Sequence, residues 1–456
     1  MLDLALAGFF ALLLAMGLKR PFIWILCYLY VDILSPQIIS YRILAALPVS
    51  QIAFLAAFGG WLLFDRKEGT RFTWRQGLMA ALLAYCAYTT LTATFAAEAA
   101  EKWAWVWKAM VFAIFLPLTL RTRLRIEAVA LVMVLTASAL IIDGGIKTAL
   151  GGSGYGTLRF FVENNTGLYE GSIISCIAIA IIPIILWFCK HGTIYPPDWR
   201  VWTFSAALIF ACALIPVGTQ ARTGLICLGL VCALYLRTAK HRVLILIGMA
   251  AALALAMPFL PQSFTARMST IENHQGDESA GTRLAVWKWT LGYVKDHPFG
   301  GGFEIYLGNK LRFETVDSQT AGSTTLVETK VVEDAGRAFH SSYFEMLGEQ
   351  GIPGFAMWVL LQVSGLWQME LIRRRYKART GPDEQWQGPL AIALQQAHLV
   401  YLAGSLFVGI AFQPFILMLI GLQCGLWSYL KRIEAPDMRV ARRKPVAMRP
   451  MGTIAS

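Results

Sequence analysis

Charge is what this sequence has least of. Only 15% of its 456 residues are Asp, Glu, Lys or Arg, while 57% are hydrophobic and the mean hydropathy is +0.55. A soluble domain carries about one-quarter charged residues, so an ordinary soluble globule is excluded. Intrinsic disorder is excluded too, since it needs much charge and few aromatics. Paired cysteines are also missing. The eight cysteines all lie in apolar segments and none forms C-x-x-C, so neither a disulfide framework nor a zinc site is supported. No internal repeat with a period of 20–50 residues is visible. The first apolar run, residues 2–18, lacks a basic leader and an A-x-A cleavage site, and is expected to be a retained span rather than a signal peptide.

Acidic residues are scarcer than basic ones, 28 against 40, leaving a net charge of +12. On a soluble chain that excess would suggest nucleic acid. Here much of it sits in short loops between apolar runs and in the tail 431–449, where it serves as an orientation signal and contacts lipid headgroups. No nucleic-acid partner is expected; membrane lipids are.

What is abundant is apolar runs near 20 residues, the length a spanning helix needs. They fall near 2–18, 21–35, 50–64, 77–96, 103–120, 126–146, 171–189, 201–217, 222–237, 242–260, 352–372, 390–409 and 414–430. The last two could be one broken pair, so an all-α polytopic membrane protein of about 12–13 spans is expected. Its parts are N-terminal transmembrane helices over 1–260, a large loop with an amphipathic helix over 261–351, C-terminal helices over 352–430 and a basic tail over 431–456. Alternate short loops carry the basic residues: Lys19 and Arg20; Arg66 to Arg75; Arg121 to Arg125; Lys190 and Arg200; Arg237 to Arg242; Arg373 to Arg379. The intervening short loops hold only Arg42, Lys102, Lys147, Arg159 and Arg222. Lys and Arg are retained on the cytoplasmic side, so the first set and the tail are expected inside, and the loops 147–170 and 261–340 outside.

The large loop concentrates the polar chemistry. It holds Gly281-Thr282-Arg283, an apolar periodicity at Leu284, Trp287, Leu291 and Val294, then His297-Pro298-Phe299-Gly300-Gly301-Gly302-Phe303. The periodicity predicts a helix from Leu284 to Asp296, stopped by Pro298 and the glycines, with Arg283 at its start. His340-Ser341-Ser342-Tyr343 follows just before a span that begins with Gly351-Ile352-Pro353-Gly354, and Arg222 opens the ninth span on the same side. Three cationic or titratable groups thus meet one membrane boundary, where charge is costly and functional by default. Each has a plain alternative. Arg222 would serve as a snorkelling anchor, Arg283 as a solvated loop residue and His340 as a helix cap. His297 reads as part of a structural stop, His191, His241 and His274 as exposed loop residues, and His398 as a core histidine.

The ordered set over residues 215–360 resembles the O-antigen ligase and polymerase superfamily: Arg-Thr-Gly opening a span, Gly-Thr-Arg…Trp…His-Pro-Phe-Gly-Gly-Gly-Phe in a large outward loop, then His-Ser-Ser-Tyr…Gly-Glu-Gln-Gly-Ile-Pro-Gly. The N-terminal half, with Arg159 and Glu163-Asn164-Asn165 before a span, is similar to the O-glycosylation ligases associated with exosortase systems. The resemblance implies a GT-C-like, metal-independent transferase in the bacterial inner membrane, without cofactor, its active site facing the periplasm. Its donor would be a glycan on undecaprenyl diphosphate and its acceptor a hydroxyl of lipid A core or of a secreted protein. Arg222 and Arg283 would clamp the diphosphate, His340 would act as base, and Arg159, Asn164, Asn165 and Tyr343 would contact substrate. The absence of Asp-x-Asp from the outward loops fits a metal-free route. A polymerase of the same superfamily remains open, as does a lipid-linked glycan transporter, which internal repeats and charged or broken midplane helices would have favoured.

Overall fold

The computed structural model describes residues 2–65, 67, 71–150, 158, 167–238, 241–244, 246–248, 278–321, 324–379 and 381–441. It is an all-α polytopic membrane protein. The chain runs through α1 (Leu2–Lys19), α2 (Phe22–Leu34), α3 (Val49–Phe64), α4 (Trp74–Leu91), α5 (Ala96–Thr119) and α6 (Arg123–Ala149). Then come α7 (Gly171–Ala180), α8 (Ile182–His191), α9 (Trp199–Gly218), α10 (Arg222–Thr238), α11 (Glu278–Asp296), α12 (Ser342–Tyr376), α13 (Gln387–Gly404) and α14 (Pro414–Ala441). Every sequence-predicted span has a helical counterpart except 242–260, most of which lies outside the described residues. Among the described residues six helices, with α7 and α8 counted as one, are long and apolar enough to cross a membrane. The shorter α2 and α3 are apolar as well. The last two predicted spans are separate helices, α13 and α14, joined by a turn.

Polar side chains mark where several helices begin. At α4, Gln76 donates its backbone N–H to Thr73 Oγ1 while its own Oε1 accepts from Thr73 N, a reciprocal cap. Thr122 caps α6 and Glu170 caps α7. The apolar faces of α7, α8, α13 and α14 form the centre of the bundle, and α1 and α9 lie at its edge with most of their apolar side chains turned outward.

The two sets of loops gather at opposite ends of the bundle. At one end meet the loops rich in basic residues. Arg125 grips Asp65 with two hydrogen bonds of 2.7 and 2.9 Å, Arg123 donates to the His191 carbonyl, Arg432 to the Arg121 carbonyl, and Arg375 pairs with Glu434. At the far end, Thr94 N donates to Gly301 O, Leu158 N to Gly218 O and Tyr169 Oη to Leu34 O. The alternation of charge along the sequence is therefore an alternation of ends in space.

The large loop is more structured than its sequence pattern suggested. After α11, residues 297–302 fold back against α12. Gly301 N donates to Gly348 O, Gly302 N to Glu349 O, and Ile352 N to Pro298 O. That approach breaks α12 at Gly351, whose φ of 62° leaves the helical region. A Cβ there would strike the backbone of Phe299 and Gly300, so glycine is required. An antiparallel ribbon follows, β1 (Lys310–Ala321) with β2 (Thr324–Ala335), which the sequence reading did not anticipate. Buried Asn309 closes its base, donating to Arg337 O at 2.7 Å and accepting from Arg337 N at 3.1 Å.

Candidate active site

His340 occupies the short link between this ribbon and α12. Its φ is 47°, in the left-handed region that histidine visits more readily than bulky or β-branched residues. Such a backbone costs on the order of 1–3 kcal/mol and persists only where its surroundings over-determine it. The surroundings do so from both sides. On the N-terminal side Trp287 Nε1 of α11 donates to Phe339 O at 2.9 Å, and the Trp287 ring stacks on Phe344 at 4.7 Å. On the C-terminal side Ser342 N donates to Ser405 O, and Ser342 Oγ donates to Val408 O and accepts from Ile410 N. Ser341, not His340, is the residue that precedes the helix as its cap, and it makes no side-chain capping bond.

The imidazole keeps an open surface, yet the protein crowded around it lowers its pKa below the ordinary histidine value. The Arg283 charge lowers it further, Glu170 opposes the fall, and Arg337 adds to it. The structure thus brings His340, from the link before α12, into the field of Arg283 on α11, Glu170 at the start of α7 and Arg337 at the ribbon's base. The consequence is a neutral imidazole near neutral pH, which can accept a proton. Among the described residues the His340 side chain makes no hydrogen bond.

Arg283 is half-buried, with its Nε shielded from solvent. Its place in α11 corrects the sequence reading. The helix begins at Glu278, because Gly281 is tolerated inside it at a cost of about 1 kcal/mol relative to Ala, so Arg283 stands past the first turn. The helix dipole, which acts only at the end turn, therefore adds little there. The expected apolar face of α11 is also revised. Val286, Thr290 and Val294 are buried, and Trp287 and Tyr293 pack beside them, while Leu284 and Leu291 are exposed. Two apolar stripes run along this helix, and only one of them faces the protein.

Arg222 is the first residue of α10, as expected, and half-buried with its Nε also shielded. The turn before it holds Gln220 at φ 54°, and Thr219 Oγ1 lies 2.8 Å from Ser175 Oγ of α7. Gly224 packs against Pro216 and Ser175, and Gly171 against Thr219. The first turns of α7 thus pack against the turn that leads into Arg222, and Glu170 at the cap of the same helix acts on the charge of His340. Tyr343 is tied into the bundle, its hydroxyl donating to Leu402 O at 3.3 Å and its ring edge-on to Trp358. Arg159, Asn164 and Asn165 lie outside the described residues. His398 is a core histidine, buried between Gln362 and Gln423. Among the described residues no cluster of His, Cys, Asp or Glu has the form of a metal site.

Sequence reasoning missed Glu170 and Arg337, because neither belongs to a recognised motif. The only signal at Glu170 was an acidic residue just before an apolar helical run, the mark of a cap.

Two family models match the chain. Residues 204–359 match the model described as O-antigen ligase, and residues 1–193 match a family of unknown function. No curated protein matches the chain. The segment similar to the O-antigen ligase family thus runs from α9 through the break in α12 and contains Arg222, Arg283 and His340.

Proposed function

We propose that the protein is a glycan ligase of the bacterial inner membrane. It moves a preassembled oligosaccharide or polysaccharide from undecaprenyl diphosphate to an acceptor hydroxyl, of lipid A core or of a secreted protein, at the periplasmic face. The observation that carries this reading is a histidine at the far end of the bundle, on a strained backbone held from both sides, whose pKa burial and the Arg283 charge lower. The family match supports glycan handling in general, and the concentration of Lys and Arg in the loops of the other end supports a periplasmic site.

In this reaction His340 takes the proton of the acceptor hydroxyl as its oxygen attacks the anomeric carbon. The bond from that carbon to the carrier's phosphate oxygen breaks, and its electron pair leaves with the diphosphate. A diphosphate is already a weak base, so it needs charge stabilisation more than a proton. Arg222 and Arg283 supply it with planar, permanently charged donor sets suited to phosphate oxygens. Stabilising charge as it develops is commonly the largest catalytic contribution.

The test is deletion of the gene followed by analysis of glycoconjugates and of the lipid carrier. Loss of one finished glycoconjugate, with polymerised glycan accumulating on the carrier, is the expected result. Accumulation of single repeat units would mark a polymerase instead, and an unchanged set of glycoconjugates would remove the transferase reading.

A further inference from the structure

Lys102 is one of the few basic residues that the sequence assigns to the far-end short loops, yet it is nearly enclosed. Its Nζ lies 2.8 Å from Glu349 Oε1, 2.9 Å from Glu345 Oε1 and 3.3 Å from Glu304 Oε1, above the Phe303 ring at 5.4 Å. These carboxylates come from different places: Glu304 follows the glycine segment, and Glu345 and Glu349 are a turn apart on the first part of α12. Two of them also accept from backbone. Glu349 Oε1 accepts from Glu304 N at 3.1 Å, and Glu345 Oε2 accepts from Ala411 N at 3.2 Å. One ammonium therefore ties α5, the glycine segment, the start of α12 and the 405–411 turn together. Without it, like charges would face one another in an enclosed site, a costly arrangement.

The start of α12 is also what sets His340. Glu345 N donates to Ser341 O at 2.8 Å, so the helical turn held by Lys102 is the one that follows His340 directly. A left-handed histidine needs that anchorage to persist. We propose that Lys102 is a positioning residue for His340: by holding the first turns of α12 it keeps the imidazole in place against Arg283. This rests on the reading of His340 as the reacting base, and it predicts a property of His340 that can be measured without turnover.

The groups facing His340 are Arg283 from α11, Glu170 from the start of α7 and Arg337 from the ribbon's base. Loosening the link exposes the imidazole to water and moves it from the two arginines, so its titration midpoint rises. The experiment is diethyl pyrocarbonate labelling of the detergent-purified full chain across pH, read at the His340 peptide by mass spectrometry. Wild type should show a midpoint below about 6.5, the ordinary histidine value. Lys102→Met should move it up by about half a unit or more, and Lys102→Arg, which keeps the charge, should restore most of the depression. In the transfer assay Lys102→Met should lose turnover with little change in the KM for the carrier-linked donor. Should Lys102→Met not fold, Lys102→Met/Glu349→Gln leaves less unbalanced negative charge and carries the same expectation. An unmoved His340 midpoint alongside a lowered melting temperature would overturn the proposal, leaving Lys102 as a prop for the fold. A moved midpoint in a protein without transferase turnover would support the positioning of His340 and count against the ligase reading.

Discussion

His340 and His398 lie in the same bundle and differ in nearly every respect that bears on chemistry. His398 is fully buried, and both its ring nitrogens are taken, Nε2 by Gln362 at 2.7 Å and Nδ1 by Gln423 at 3.2 Å. Gln423 passes the network on to Arg75, which also reaches Gln368 and the Leu361 carbonyl. This is polar matter used to fasten α4, α12, α13 and α14 to one another. His340 has an open face, a left-handed backbone and cationic neighbours. The same residue type serves packing where its nitrogens are consumed internally, and is free for the proposed chemistry where its ring keeps an open face. A similar contrast separates the two ends of the molecule. At the basic-loop end Arg123, Arg125, Arg373 and Arg375 bind carboxylates of the protein itself. At the far end Arg337 pairs with Asp334 as well, but it and Arg283 also bear on the charge of a histidine.

Exchanging arginine for lysine should break this symmetry of composition most strongly. Arg283→Lys and Arg222→Lys replace a two-pronged donor with a point charge, and each should lower turnover by about 10²–10³-fold, the range for losing one donor to a developing anion. Arg125→Lys at the opposite end keeps a charge beside Asp65 and should change turnover by less than about twofold, with a stability cost within about 1 kcal/mol. Rates measured with purified variants at matched folded concentration check both. Full activity in the two far-end lysine variants would return Arg222 to the role of a snorkelling anchor and Arg283 to that of a solvated residue.

His398→Ala sharpens the comparison of the two histidines. It strands Gln362 and Gln423 in the core and should cost about 1–3 kcal/mol of stability, the usual penalty of an unsatisfied buried polar group. Turnover per folded molecule should hold. Thermal melting together with active-fraction titration would show the split, and lost turnover without lost stability would contradict it. The smallest perturbation concerns sidedness. Ser318→Cys, in a cysteine-free background, should leave activity intact and react with a membrane-impermeant thiol reagent from the periplasmic side. Reaction only after permeabilisation would invert the topology.

Hydrophobic length and basic alternation made the helices and their grouping legible from sequence, because a membrane imposes both on every span. Arg222 and His340 were legible as cationic or titratable groups at span boundaries. The ribbon was not: among the described residues its strands pair only with each other, and residues 310–335 carry no run apolar enough to stand out from a polar loop. The buried face of α11 was misread because this helix has two apolar sides, and periodicity does not say which one meets protein. Lys102 was overlooked for a different reason. Its three carboxylates are scattered over positions 304, 345 and 349, and only the fold of the glycine segment onto α12 brings them together. The sequence shows Glu345 and Glu349 four residues apart, a spacing that places both on one helical face but does not name their partner.

The general-base role of His340 is best tested by His340→Asn in the purified enzyme, with carrier-linked donor and acceptor supplied and turnover followed across pH. Asn tolerates the left-handed backbone and can hydrogen-bond, but it cannot take a proton at neutral pH. The wild-type imidazole is held below the ordinary histidine value, so it stays neutral as the pH falls and loses its capacity as a base only in the acid range below about 6.5. Wild-type turnover should accordingly show an acid limb there. In His340→Asn turnover at neutral pH should drop by about 10²-fold or more, the size of a lost general base, and the residual rate should lack that limb. A variant with near-wild-type turnover and the same acid limb would remove His340 from the chemistry.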